Sequence, residues 1–181
     1  SGVIHAGIYY PKKITPLKAK LCVEGNRLLY EFCGEFNVPH SRTGKLVVAT
    51  NTREEDYIDG TLTIAEDNGV PDIKKISGIE ARLKEPNVKA ISALHVPSSG
   101  IVESAALTQK LRRLAESNEA YVLPEHRILS ITPKQRGFIV TVESRGKTET
   151  YETSTLINSA GLYADEIARM VNPDFPLRIF P

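Results

Sequence analysis

Leu156-Ile157-Asn158-Ser159-Ala160-Gly161-Leu162-Tyr163-Ala164-Asp165 reads as a short apolar strand that ends in small residues and turns directly into a helix. Such a turn presents free backbone N–H groups and the positive end of a helix dipole to whatever lies there. Ala160 and Gly161 let a ligand's phosphates or a flat ring come close to the backbone, which bulkier side chains would block. A turn of this form also serves as a plain connection, so its meaning depends on a second stretch at the start of the chain, Ser1-Gly2-Val3-Ile4-His5-Ala6-Gly7-Ile8-Tyr9-Tyr10. There His5 sits between Ile4 and the small pair Ala6-Gly7, so one face carries almost no side-chain bulk and a flat ring can lie on it. No G-x-G-x-x-G occurs among the 12 glycines, so the loop that would hold a pyrophosphate is missing.

Composition narrows the class. The chain has 181 residues, 41% hydrophobic and 25% charged, with a net charge of +1. That suits one sizeable core or two small ones and gives no electrostatic footprint for nucleic acid. No apolar run approaches the roughly 20 residues of a membrane span, and no signal peptide opens the chain. A cytoplasmic location is the default, with membrane contact elsewhere in the whole protein left open. Cys22 and Cys33 fall 11 residues apart on one expected helix, about 16 Å at 1.5 Å per residue. That exceeds disulfide reach, and both read as small core residues in a reducing compartment. His5, His40, His95 and His126 are scattered singly, so no metal site is expected.

The expected elements alternate without a simple βαβ rhythm. Thr15-Pro16 starts a helix running to about Phe36, with Leu17, Leu21, Leu28, Phe32 and Phe36 as its apolar residues. A Val-rich strand over residues 44–50 precedes a helix over 53–67 that stops at Asn68-Gly69. A strand at 73–76, a helix at 78–84 ended by Pro86, and a strand at 91–96 follow. After the Pro97-Ser98-Ser99-Gly100 turn comes a helix over 103–117 that buries Ala106, Leu107, Leu111, Leu114 and Ala115. Strands at 128–131, 138–142 and 148–153 are joined by tight turns. A short buried strand over 155–158 then leads into a helix over 163–171.

These segments resemble the FAD-dependent 2-hydroxy acid oxidoreductases of the D-amino-acid-oxidase-like superfamily, and most closely the L-2-hydroxyglutarate oxidases and dehydrogenases. The resemblance is carried by residues 1–10, Leu17 to Gly25, Gly44 to Ala49, Ser99-Gly100-Ile101-Val102 and Asn158 to Asp165. In the family, Cys usually stands in place of Ser159 and Asp in place of Glu103. The resemblance implies a mixed α/β fold, the middle portion of a two-lobe oxidoreductase. Residues 1–38 and 98–172 would belong to the FAD-binding lobe, 39–97 and 173–181 to the substrate-binding lobe. It implies that Ser1, Gly2, Val3, Gly7, Ser159, Ala160 and Gly161 contact FAD, and that Ile128 touches the adenine through its backbone. His5 becomes the candidate to take the hydroxyl proton as hydride leaves for the flavin; read without the resemblance, it is an ordinary structural histidine. Tyr9 and Tyr10 either line a substrate pocket or cap the core. Lys18 and Lys20 either bind an acidic substrate or form a solvated face.

The expected reaction is oxidation of a 2-hydroxy acid, with L-2-hydroxyglutarate as substrate. Glycerol 3-phosphate or an amino acid on the same fold is the alternative, and a non-catalytic binding or assembly module is the alternative of another class. Both ends are expected to be cuts within a longer enzyme. The isolated piece should bind flavin weakly, lack activity, and self-associate through uncovered apolar faces.

Overall fold

The structure, a computed structural model, describes residues 2–180. The chain divides between Ala120 and Tyr121 into two compact units. Helices and small antiparallel sheets mix within it, the α/β class expected.

The first unit is organised around two three-stranded sheets. In one, β1 (Val3–Ile4) and β2 (His40–Ser41) flank β6 (Gly100–Val102). In the other, β3 (Leu46–Ala49) and β4 (Lys74–Ser77) flank β5 (Ser92–His95), whose first three residues are all buried. β2 and β6 are two and three residues long, too short to show an alternating pattern, and the sequence reading passes over both. Gly100 permits the close approach at the head of β6: a Cβ there would collide with the Tyr30 hydroxyl and the Ser41 carbonyl.

Helix α1 (Pro16–Glu35) begins at the expected proline and ends at Phe36. Its buried line differs from the leucine-based one: Ala19, Asn26 and Cys33, seven residues apart, face inward, whereas Leu17 is 67% exposed and Leu21 and Leu28 are also exposed. Phe32 and Phe36 do pack, against a cluster of Ile4, Cys33, Val38 and Val102. Helix α2 (Thr52–Asp67) is capped by the Asn51 side chain on the Glu54 N–H and stops at Asn68. Its Ile58 and Ala65 join Ala6, Ile8, Ala49, Leu94 and Val96 in the largest core cluster. Helix α3 (Gly78–Lys84) opens with a reciprocal capping box between Ser77 and Glu80. Helix α4 (Ser104–Ser117) is capped by Glu103; of its expected inner face, Ala106 and Leu107 pack on the Ile4 cluster while Leu111 is exposed.

The second unit is a meander of β7 (Arg127–Pro133), β8 (Phe138–Ser144) and β9 (Lys147–Thr153), followed by a 3₁₀ turn at Gly161–Tyr163 and helix α5 (Ala164–Val171). Ser144 pairs with Lys147 across a two-residue turn; Arg145 and Gly146 both have positive φ there, the geometry that matches strand twist. Ile131, Val140 and Val142 pack with Leu156, Ile167, Met170 and Val171. Residues 155–158 do not form the expected strand: they have no ladder partner among the described residues. Leu156 packs inward but Ile157 is 83% exposed.

Candidate functional site

The segment after β1 is built from inside out. Ile4, Ala6 and Ile8 are buried, while His5 and Tyr9 point to the surface. Gly7 sits at φ +90°, and a Cβ on it would lie 2.9 Å from Val23 Cγ2 of α1. Ala6 and Gly7 are therefore small for the sake of packing on the helix, and the exposed chemistry comes from His5 and the tyrosines.

His5 borders a cavity of about 620 Å³ together with Tyr10, Lys18, Leu21 and Cys22. The Lys18 ammonium stands 4.3 Å from the Tyr10 ring centroid, and that of Lys45 stands 4.9 Å from the Tyr9 ring centroid, cation–π contacts that hold both amines near this face. Burial pushes the Cys22 thiol up, against the opposing pull of Lys18 and Lys45, so the thiol is held in its neutral form. Burial likewise lowers the Lys45 ammonium, partly offset by Cys22. Burial, with a smaller contribution from Tyr57, raises the Tyr9 phenol.

Asn26, which the sequence reading passes over, and Asn68, read there only as a helix stop, join this segment to the rest of the unit. Asn26 Nδ2 donates to the His5 carbonyl at 3.0 Å and to the Ser98 carbonyl at 2.9 Å. Asn68 Nδ2 donates to the Gly7 carbonyl at 2.9 Å and to the Tyr10 carbonyl at 2.8 Å. The available signal was an asparagine in register with the small residues Ala19 and Cys33 on α1. Both asparagines, with Lys20, Arg27, Arg42 and Ser98, border a larger cavity of about 910 Å³.

The remaining site residues fall as follows. Gly2 and Val3 lie at the start of β1, and the Gly2 carbonyl accepts from the Val102 N–H at 2.7 Å. Ser1 lies outside the described residues. Ile128, Ser159, Ala160 and Gly161 belong to the second unit. Ile128 is on β7, partly buried against the Ile131 cluster. Ser159 and Gly161 are exposed, and nothing lies within 4 Å of where a Gly161 Cβ would sit. Asn158 closes the turn, accepting from the Ala160 N–H at 3.2 Å and donating to the Ala164 carbonyl at 2.7 Å. The helix that follows starts with Asp165 and Glu166. Carboxylates in a first turn offset the positive end of a helix dipole, and Asp165 is in turn paired with Arg169. Among the described residues, no group of three or more His, Cys, Asp and Glu side chains is placed to hold a metal.

Over residues 1–181 the chain matches the family described as DAO, FAD dependent oxidoreductase, and it belongs to that family of flavoproteins. Among its curated relatives, the mitochondrial L-2-hydroxyglutarate dehydrogenase of Caenorhabditis elegans is 36% identical over 184 residues, covering all of this chain and 42% of the relative. The L-2-hydroxyglutarate dehydrogenase of Indibacter alkaliphilus is 35% identical over 94% of this chain and 41% of its own length. The chain thus spans about two-fifths of the length of these relatives. Of solved structures, L-alpha-glycerophosphate oxidase from Mycoplasma pneumoniae, with FAD bound, superposes with a TM-score of 0.82 at 24% identity, over 94% of this chain and 45% of that one. Glycine oxidase from Geobacillus kaustophilus gives 0.77 at 18%, over 94% and 46%. Both share the fold.

Proposed function

We propose that the whole protein to which these residues belong is an FAD-dependent oxidoreductase that oxidises L-2-hydroxyglutarate to 2-oxoglutarate. The observation that carries this reading is the identity of 35–36%, across essentially the whole chain, to relatives named for that substrate. Glycerophosphate and glycine are named for fold relatives at 24% and 18% identity, well below the relatives named for the 2-hydroxy acid. Residues 1–38 and 98–172 would belong to the flavin lobe and 39–97 and 173–181 to the substrate lobe.

Bound FAD would supply the acceptor for the hydride from the substrate carbon. His5, at the mouth of its cavity, would take the hydroxyl proton. Lys18, poised over Tyr10 beside it, suits a substrate carboxylate, and Tyr9 and Tyr10 would flank the substrate. Gly2, Val3 and Gly7 would supply backbone along the flavin ring, Ile128 a backbone contact to the adenine, and the open turn at Ser159, Ala160 and Gly161 room for part of the cofactor. Ser1 is a candidate by its place in the same motif. Free Cys22 and Cys33 suit a reducing compartment, the cytoplasm or the mitochondrion that the nematode relative's name gives.

The test is a substrate panel on the holoenzyme, with flavin bleaching as the readout. L-2-hydroxyglutarate should reduce the flavin at least tenfold faster than glycerol 3-phosphate or any amino acid. Equal or faster reduction by one of the others would reassign the substrate. His5→Ala should lower kcat on the order of 10²-fold or more; unchanged turnover would remove His5 from the chemistry.

A further inference from the structure

Residues 5–10 leave β1 without joining any strand, so the carbonyls of this segment find no ladder donors. Buried backbone acceptors left in that state are costly, and proteins supply them with donors. Here the donors are two side-chain amides. Asn26, 9% exposed, occupies a place on the inward line of α1 where Ala19 and Cys33 set the pattern. An apolar residue there would leave the His5 carbonyl only the weak Cys22 thiol donor at 4.0 Å.

We propose that Asn26 is the positioning residue for His5, with Asn68 securing the rest of the segment. The Asn26 amide ties His5 to the turn at Ser98. That turn leads directly into β6, where Gly100 pairs with Ile4, so His5 is fixed by the ladder on one side and by an amide from α1 on the other. Asn68, at the end of α2, holds Gly7 and Tyr10. The segment is thereby fastened to two helices through hydrogen bonds at 2.8–3.0 Å, which restrain the backbone of His5 beside the cavity it lines. Because angstrom-scale displacement of a reacting group costs large factors in rate, the amide acts on turnover through His5.

This inference rests on the assignment of His5 as the proton acceptor, and the experiment separates the two. In the FAD-loaded holoenzyme, kcat and KM for L-2-hydroxyglutarate are measured for wild type, Asn26→Ala, His5→Ala and the double variant. Asn26→Ala should lower kcat at least tenfold with KM within about threefold. In the His5→Ala background the same change should alter kcat by less than about twofold, since residues acting as a unit are non-additive. An equal factor in both backgrounds, or wild-type kcat in Asn26→Ala, would overturn the positioning role. If His5→Ala alone is fully active, the base assignment falls, and the inference falls with it. Should Asn26→Ala fail to retain flavin, Asn26→Leu, which fills the space without a donor, goes through the same cycle, with the same outcomes deciding.

Discussion

Gly7 shows how much of a site is fixed by one absent methyl group. Its φ of +90° and the 2.9 Å approach to Val23 leave an alanine no relaxed arrangement, so Gly7→Ala should destabilise the first unit by about 1–3 kcal/mol. A thermal melt checks this, and a melting temperature equal to wild type would show that the helix can yield. The sequence made His5, Gly7 and the two tyrosines visible because they stand together in one motif. The tethering by Asn26 and Asn68 was invisible for a physical reason: their partners lie 21 and 72 positions away for one, 61 and 58 for the other. A residue whose role is to donate to distant carbonyls carries no local pattern of its own. Ala6-Gly7 was legible as small but not as small for packing, since the bulk it accommodates is Val23 on another element.

At the scale of elements, helices were readable where their ends are written in side chains, Thr15-Pro16 at a start and Asn68-Gly69 and Pro86 at stops; the caps at Asn51, Ser77 and Glu103 emerge only in the structure. Ser77→Ala removes a hydroxyl that accepts from the Glu80 N–H and donates to its carboxylate. Loss of about 1 kcal/mol is expected, measurable by denaturant titration, with no change expected if the helix frays anyway. Helix α5 carries a different fastening. Asp165 accepts from the two terminal Arg169 guanidinium nitrogens at 3.0 Å and from the Ile179 N–H at 3.2 Å. Burial alone would raise its carboxyl; the Ile179 N–H and Arg169 outweigh that and leave it lowered. A group lowered on folding stabilises fully above its unfolded value, about pH 4 for Asp, and that contribution vanishes as pH falls through the lower folded value. The Ile179 amide should therefore exchange faster as pH drops below about 4, after correction for intrinsic exchange, and Asp165→Asn should abolish that step; a pH-independent protection factor in the wild type would contradict it. Strands were less legible than helices. β2 and β6 were missed for lack of length, and residues 155–158 have the composition of a strand without a ladder partner among the described residues, a condition the segment's own residues do not encode.

For the molecule as a whole, the class was legible through motif order. The buried line of α1 was not, because it is made of the small Ala19 and Cys33 and the polar Asn26, which give a fainter apolar signal than the leucines that the surface in fact exposes. We expect this 181-residue chain to bind FAD weakly, with flavin fluorescence little quenched on titration; tight stoichiometric binding would show that the G-x-G-x-x-G loop is dispensable here. Exposed Ile14, Leu17, Ile79 and Leu83 on the first unit, and Tyr121, Ile157 and Phe180 on the second, should promote concentration-dependent association, visible by light scattering. The β1–β6 ladder pairs Val3 with Ile101, whereas β8 and β9 meet across a two-residue turn. Closing a long loop comes late and closing a short one early, so during synthesis the residues around His5 must wait for nearly a hundred more to leave the ribosome before they can settle, while the hairpin downstream can zip as soon as it emerges.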